Sequence, residues 1–289
     1  MEVDRPIIIF GTGRCGTTIF HRLFSMHPEV TWLSDLCERH PNRPELNRRL
    51  MKALEYPILN NHLRKRYGPG ECYGFWEHHC RGFRDPCKDL MASDLSIKSK
   101  HNLRKAMSSL TTRKRNRLLT KITGWPRLGL LSEIFPQARF VHIIRDGRAV
   151  ANSLINIGWW LGWTGPENWR WGPLSATHRE EWFSHDQSFV VLAAIQWKIL
   201  MDASENAKKL IDGSNLLEIK YEQLCSDPVN LFKEIVEFSE LDWTTEFEEQ
   251  IKPFKLNSAN FKWELELNNT QKRALHEVLE HHLTRYGYL

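Results

Sequence analysis

A glycine-rich turn is the first segment whose residue types could do chemistry. It reads Gly11-Thr12-Gly13-Arg14-Cys15-Gly16-Thr17-Thr18 and follows the apolar run 7–10. A buried strand that enters such a turn and then a helix presents free backbone N–H groups, which favour a phosphate or another anion. Compared with the pattern G-x-x-x-x-G-K-[ST], Thr17 replaces the lysine, and Arg14 supplies a cation earlier. The turn therefore predicts an anion site, the alternative being a plain connection between strand and helix.

A second strand-to-helix junction carries Arg145-Asp146-Gly147-Arg148, and Ser153 lies eight residues after Arg145. With both junctions, the chain resembles the sulfotransferases that use 3'-phosphoadenosine 5'-phosphosulfate (PAPS), whose 5'-phosphosulfate loop follows a strand and reads x-[KR]-[ST]-G-[ST]-[ST]. Cys15 stands where that loop usually has serine. The resemblance implies that Arg145 and Ser153 hold the 3'-phosphate of PAPS, for which a guanidinium and a hydroxyl are suited.

Other segments extend the resemblance over most of the chain. They are Lys121 with the following 122–140, Tyr221-Glu222-Gln223-Leu224, Lys262-Trp263 and Tyr286-Gly287-Tyr288. The resemblance implies a cofactor site made of Gly13, Arg14, Cys15, Gly16, Thr17, Thr18, Arg145, Ser153, Tyr221 and Lys262. In an in-line sulfuryl transfer, Arg14 and Lys121 would stabilise the charge on the leaving phosphate. This chemistry requires no metal, and we expect none.

The catalytic base follows from a narrower resemblance, to the tyrosylprotein sulfotransferases, through the loop and the segment 27–30. Their catalytic glutamate falls at Asp35 of this chain. Asp35 is therefore implied as the base, although aspartate is one methylene shorter. The alternative is that Asp35 caps a helix ahead of Leu36. Glu38 is the nearest substitute, and His27 and His40 are weaker ones.

The pattern of elements predicts the fold class. Strands are predicted at 7–10, 139–144 and 216–220, and helices at about 17–26, 44–66, 147–155 and 185–210. The segment 85–121 is predicted to be mostly helical with a loop near Asp94, and the last third is predicted to be helical. Alternating strands and helices favour an α/β fold, here one domain over 1–289 with a central parallel sheet flanked by helices, like the P-loop nucleoside triphosphate hydrolases.

A tryptophan-rich segment, 158–172, reads as a long ordered loop. Its tryptophans are Trp159, Trp160, Trp163, Trp169 and Trp171, with glycines between and around them. One interpretation is that they pack the loop onto the core or form a homodimer contact. The other is that they wall an acceptor pocket and that the glycines let the segment close as a lid.

Composition limits the function classes. The chain has 289 residues, of which 41% are hydrophobic and 26% are charged. Its formal net charge is +5, and its basic residues are spread along the sequence with one dense run at 113–117. This favours an anionic small ligand and argues against nucleic acid. No apolar run approaches the ~20 residues of a membrane span. The six cysteines lack CxxC pairs, so zinc is not indicated. Reduced thiols and the absence of a recognisable signal peptide predict a cytoplasmic protein.

Two other functions stay open. An ATP-dependent kinase would use Asp146 to hold a metal, but the lysine missing at Thr17 argues against it. A non-catalytic nucleotide-binding module would keep the fold without turnover. The acceptor would receive the sulfuryl group on a hydroxyl or an amine, and it is open among small molecules and peptides, with aromatic, lipid-like and sugar compounds all considered.

Overall fold

The computed structural model describes residues 4–84 and 88–289. Its central sheet has five parallel strands: β1 (Ile7–Gly11), β2 (Val30–Trp32), β3 (Arg117–Thr123), β4 (Arg139–Ile144) and β5 (Leu216–Lys220). Their spatial order is β2-β3-β1-β4-β5. This confirms the predicted α/β class and the parallel sheet, and all three predicted strands are present.

Helices cover the sheet. They are α1 (Thr17–Phe24), α2 (Asp35–Arg39), α3 (Pro44–Ala53), α4 (Pro57–Arg66), α5 (Tyr73–His79), α6 (Ile97–Ser108), α7 (Leu128–Ile134), α8 (Gly147–Ile155), α9 (Ala176–Ser184), α10 (Phe189–Lys208), α11 (Tyr221–Ser226), α12 (Pro228–Phe238), α13 (Thr245–Ile251), α14 (Lys262–Glu266) and α15 (Asn269–Arg285).

The central strand β1 shows why the sheet is covered on both faces. Successive side chains of a strand point to opposite faces. Ile8 and Phe10 accordingly lie in the core cluster that includes α5, α6 and α7 residues. Ile7 and Ile9 lie in the cluster with residues of α1, α12 and α13. Because both faces are buried, the strand reads as an unbroken apolar run.

The prediction for 85–121 was wrong over much of its length. Within its described part, the α-helix covers only Ile97–Ser108, and Lys121 lies on strand β3, paired in register with Ile9. Residues 85–87 lie outside the described residues. Polar side chains in β3 made it look like an exposed helix, but they are buried: Arg117, for example, donates to the backbone carbonyls of Arg5 and Ser239. The short edge strand β2 was also missed.

Two predicted helices differ in their bounds from the observed helices. The helix predicted at 44–66 divides into α3 and α4, since Pro57 cannot continue a helix that began before it. The helix predicted at 185–210 begins later, at Phe189, because Asp186 and Gln187 have positive φ angles of 52° and 54°. These differences do not affect the two strand-to-helix junctions of the predicted site.

Three further observations concern membranes, metals and cysteines. No helix within 4–84 and 88–289 combines the length and apolarity needed to cross a membrane. In the same ranges, no group of three or more His, Cys, Asp or Glu side chains could hold a metal ion. The cysteines described are free thiols, and Cys87 lies outside the described residues.

Candidate functional site

The glycine turn joins β1 to α1, as predicted. Gly13 and Gly16 have φ angles of 83° and 89°, which favour glycine. At Gly16 there is a second requirement, since a Cβ there would lie 2.4 Å from the ring of Tyr221. Cys15 is fully buried, and burial raises the pKa of its thiol. Its side chain therefore lies in the core, and its backbone is the part that can serve the turn.

Two arginines meet beside this turn. Arg14 Nε donates to Ser153 Oγ over 2.9 Å, and Arg145 Nη1 donates to the backbone oxygen of Arg14 over 2.7 Å. Burial lowers the pKa of Arg14, and the positive charge of Arg145 lowers it further. In the described part of the chain, neither guanidinium forms an ion pair with a carboxylate. Two adjacent cations without a counterion make a site for an anion.

A groove of about 670 Å³ opens over this pair, and we call it the nucleotide groove. The predicted residues that line it are Arg14, Gly16, Thr17, Thr18, Arg145, Ser153, Tyr221 and Lys262. The ring of Tyr221 supports Arg145, whose guanidinium carbon lies 4.4 Å from the ring centre. Burial raises the pKa of Tyr221 to about 12. The structure thus brings residues from four separate segments to one groove.

A second cavity of about 930 Å³, the tryptophan cleft, shares Arg14, Thr17 and Thr18 with the nucleotide groove. Gly13 lines this cleft rather than the groove. Four of the five tryptophans also line it: Trp159, Trp160, Trp169 and Trp171. Trp163 does not, and packs against Trp160 and Phe189 at ring-centre distances of 5.2 and 4.8 Å. The glycine turn therefore lies between a polar groove and an aromatic cleft.

Lys121 lines the tryptophan cleft, beside a residue that the two cavities share. Its side chain is 6% exposed, and Nζ donates to Thr18 Oγ1 over 2.8 Å. Nζ also pairs with Glu71 Oε1 at 2.8 Å, and that carboxylate accepts a hydrogen bond from Thr123 Oγ1. A cation thus contacts the glycine turn on one side and a carboxylate of the tryptophan cleft on the other.

Asp35, the implied base, lies outside both cavities. It occupies the first turn of α2, where Ser34 is the capping residue, and it pairs with Arg39 at 2.6 Å. His27 and His40 line neither cavity. The structure therefore does not bring Asp35 to the predicted cations, because α2 turns its side chain toward Arg39.

Two other carboxylates do line the tryptophan cleft, Glu38 and Glu71. Glu38 accepts from the Gly74 backbone N–H over 2.6 Å and pairs with Arg84 at 2.8 Å. Glu71 instead contacts Lys121. Sequence reasoning named Glu38 as a substitute but missed Glu71, which precedes α5 in a segment without any motif.

Asp146, which a kinase would need for metal, caps α8 and pairs with Arg148. Its carboxylate contacts Arg148 Nε at 3.0 Å and Nη2 at 2.8 Å, and it lines neither cavity. Asp146 therefore holds the junction together instead of facing a phosphate.

Comparison with known proteins decides the family. Residues 6–245 match the pattern described as the Sulfotransferase family. The chain belongs to the sulfotransferase family. The predicted class of reaction, PAPS-dependent sulfuryl transfer, is thereby confirmed, and the kinase alternative is not favoured.

Individual relatives are distant. Omega-hydroxy-beta-dihydromenaquinone-9 sulfotransferase Stf3 of Mycobacterium bovis is 22% identical over 318 residues, covering 99% of this chain and 76% of the relative. The crystal structure of sulfotransferase STF9 from Mycobacterium avium has a TM-score of 0.62 and 17% identity, covering 99% of this chain and 77% of that one. STF1 from Mycobacterium tuberculosis H37Rv has a TM-score of 0.52 and 16% identity, covering 96% and 76%. These structures share the fold of this sulfotransferase.

Proposed function

We propose that the enzyme holds PAPS in the nucleotide groove and transfers its sulfuryl group to a hydroxyl compound in the tryptophan cleft. The observation that carries this assignment is the Arg14–Arg145 pair, which has no carboxylate partner in the described ranges. Arg145 and Ser153 bind the 3'-phosphate, and the N–H groups of the turn bind the 5'-phosphosulfate.

The shared lining of the two cavities sets the direction of transfer. Arg14, Thr17 and Thr18 face both cavities, so the sulfuryl group bound at the turn is presented to the tryptophan cleft. In-line transfer needs the attacking oxygen on the side opposite the leaving phosphate. The acceptor hydroxyl therefore enters from the cleft, and the nucleotide leaves through the groove.

Glu71 is the base in this proposal, in place of Asp35. Its carboxylate forms an ion pair with Lys121, and Lys121 donates a hydrogen bond to Thr18 in the turn. Glu38 is less suited, since Arg84 and the Gly74 N–H already engage its oxygens. Glu71 therefore lies beside the cation that faces the transferred group.

The acceptor O–H proton passes to the Glu71 carboxylate while the acceptor oxygen forms a bond to sulfur. The bond between sulfur and the 5'-phosphate oxygen breaks, and adenosine 3',5'-bisphosphate (PAP) leaves with the electron pair. Arg14, Lys121 and the backbone N–H groups of the turn stabilise the negative charge that develops on the phosphate.

The acceptor is a hydroxyl compound with a flat or extended apolar body. Trp160 and Trp169 are 3% and 5% exposed and form fixed walls, held by hydrogen bonds to Gln196 and to the Gly172 carbonyl. Trp159 is 57% exposed and lies at the opening. The relative from Mycobacterium bovis is named for a hydroxylated menaquinone, which is a lipid-like acceptor of this kind.

The test is to incubate the enzyme with PAPS and, in turn, each member of a panel of phenols, long-chain and isoprenoid alcohols, sugars and tyrosyl peptides, and to measure product formation. We expect sulfated product and an equal amount of PAP, detected by mass spectrometry, with phenols or long-chain alcohols as the best acceptors. Transfer of a phosphoryl group from Mg-ATP to the same panel would favour a kinase. Tight PAP binding without turnover on any acceptor would favour the non-catalytic module.

A further inference from the structure

Tyr288, which follows α15, is linked to Arg145 through two intervening side chains. The Tyr288 hydroxyl donates to Glu222 Oε2 over 3.0 Å. The other Glu222 oxygen accepts from Asn260 Nδ2, and Asn260 Oδ1 accepts from Arg145 Nε over 2.9 Å. An uninterrupted series of hydrogen bonds therefore runs from this tyrosine to the nucleotide groove.

The series fixes the orientation of Arg145. An amide side chain has one accepting and one donating atom, so Asn260, once it donates to Glu222, must turn its oxygen toward Arg145. Nη1 of Arg145 is held by the Arg14 carbonyl at 2.7 Å. Within the described ranges no protein acceptor contacts Nη2, which is left for a ligand of the groove.

Asn260 also works as a neutral spacer. Without it, the Glu222 carboxylate could pair with Arg145 directly and compete with a bound phosphate. The Tyr288 hydroxyl engages the second oxygen of Glu222 and so holds that carboxylate away from the groove. Burial, together with the charge of Glu222, raises the pKa of Tyr288, so its hydroxyl stays a donor at neutral pH.

Two cations hold the tyrosine itself. Arg148 Nη2 donates to the Tyr288 backbone oxygen over 3.2 Å, and Lys220 Nζ lies 4.8 Å from the centre of the ring. Arg148 is in turn paired with Asp146 in the second motif. The segment after α15 is thus attached to the same junction that carries Arg145.

We propose that Tyr288 is a positioning residue for the 3'-phosphate. Through Glu222 and Asn260 it holds the guanidinium of Arg145 in the orientation that binds this phosphate, and so strengthens the preference for a 3'-phosphorylated nucleotide. The inference rests on the proposed function, because it takes PAPS to be the ligand of the groove.

The test compares two nucleotides, PAP and adenosine 5'-monophosphate (AMP), which lacks the 3'-phosphate. Tyr288→Phe removes the hydroxyl but keeps the ring over Lys220. By calorimetry, we expect PAP affinity to fall by about 3- to 10-fold and AMP affinity to stay unchanged. The lost hydrogen bond goes to a carboxylate, but its effect reaches Arg145 only through two side chains, so the fall is smaller than the loss of a direct charge-assisted hydrogen bond. Tyr286→Phe is the matched control, since its hydroxyl donates over 2.9 Å to Glu205, which no hydrogen bond among the described residues links to Arg145. It should change neither affinity.

A second variant, Asn260→Asp, places a carboxylate directly on Arg145. We expect its PAP affinity to fall by about 10-fold or more, with a much smaller change for AMP. Equal losses for both nucleotides in Tyr288→Phe would show that the tyrosine only supports the local fold, and no loss for either would show that the series does not control Arg145. Both results overturn the inference. The proposed function fails separately, if the unmodified enzyme binds PAP no more tightly than AMP.

Discussion

Replacing Glu71 by glutamine tests the assignment of the base. Glutamine has nearly the same shape and can still accept hydrogen bonds from Lys121 and Thr123 through its carbonyl oxygen. It cannot take a proton from the acceptor at neutral pH. General bases contribute ~10²- to 10⁴-fold, so we expect the turnover number with PAPS to fall by at least about 100-fold. PAP affinity should not weaken, because Glu71 does not line the nucleotide groove.

The same substitution has a cost in stability that can be worked from the ion pair. The side chains of Lys121 and Glu71 are 6% and 22% exposed, so Glu71→Gln leaves a buried ammonium without its counter-charge. Removing one partner of a buried ion pair costs about 3–5 kcal/mol of stability. Because Glu71 is partly exposed, we expect Glu71→Gln to cost about 3 kcal/mol. Urea unfolding should show that loss, and saturating PAP should restore part of it, because its phosphate gives Lys121 a new anion.

Asp35→Asn is the matched control for this experiment. Its carboxylate pairs with the exposed Arg39 on α2, outside both cavities, so turnover and stability should stay close to those of the unmodified enzyme. Full turnover in Glu71→Gln would show that Glu71 is not the catalytic base. A 100-fold loss in Asp35→Asn alone, on the scale of a missing base, would return the role to the residue implied by resemblance.

Three further predictions address other parts of the site. Trp159→Ala should raise the acceptor KM about 10-fold without changing PAP affinity. Trp163→Ala should raise that KM much less, because Trp163 lies outside the cleft lining and only packs against Trp160; equal effects would show that the cleft does not hold the acceptor. Gly16→Ala should abolish PAP binding in calorimetry, since its Cβ would lie 2.4 Å from the Tyr221 ring and φ is 89°; retained affinity would show that the turn can shift. Burial lowers the pKa of His21 to about 3, so the unfolded chain binds the extra proton and stability falls as pH drops below about 6.5. In urea unfolding, His21→Gln should reduce the loss of unfolding free energy between pH 7 and pH 5 by about 2 kcal/mol. If the unfolding free energy depends on pH as it does in the unmodified enzyme, His21 is not the group responsible.

The sequence predicted the parts of the fold that depend on local pattern. Strand β1 is a continuous apolar run, and β4 and β5 are short and mainly apolar; the two strand-to-helix junctions of the predicted site follow β1 and β4 directly. Strand β3 could not be recognised, because Arg117 and Lys121 are polar residues whose burial depends on distant partners. Those partners are backbone carbonyls for Arg117 and Glu71 for Lys121.

The candidate site was also predictable only in part. The residues expected in the cofactor site line the two cavities, apart from Cys15, whose side chain lies in the core. Their assigned roles stay predictions until they are measured. Asp35 was placed by counting forward from the loop, but the direction of a side chain depends on how α2 packs. Glu71 carries no local signal, since its position follows from tertiary packing against β3.

In the proposed function, the nucleotide groove binds a ligand with phosphates at both the 3' and 5' positions. Calorimetric titration of the enzyme with PAP and with ATP, each with magnesium and again with EDTA, tests it most directly. In the proposed function, Arg145 and Ser153 bind a 3'-phosphate that ATP lacks, and charge-assisted hydrogen bonds of about 1.5–3 kcal/mol correspond to roughly 10- to 150-fold in affinity. We therefore expect PAP to bind at least about 10-fold more tightly than ATP, with the same affinity in EDTA, and Arg145→Ala to remove most of that preference. Equal affinity for PAP and ATP would show that the groove does not select a 3'-phosphate, and loss of PAP binding in EDTA would show that binding needs a metal ion.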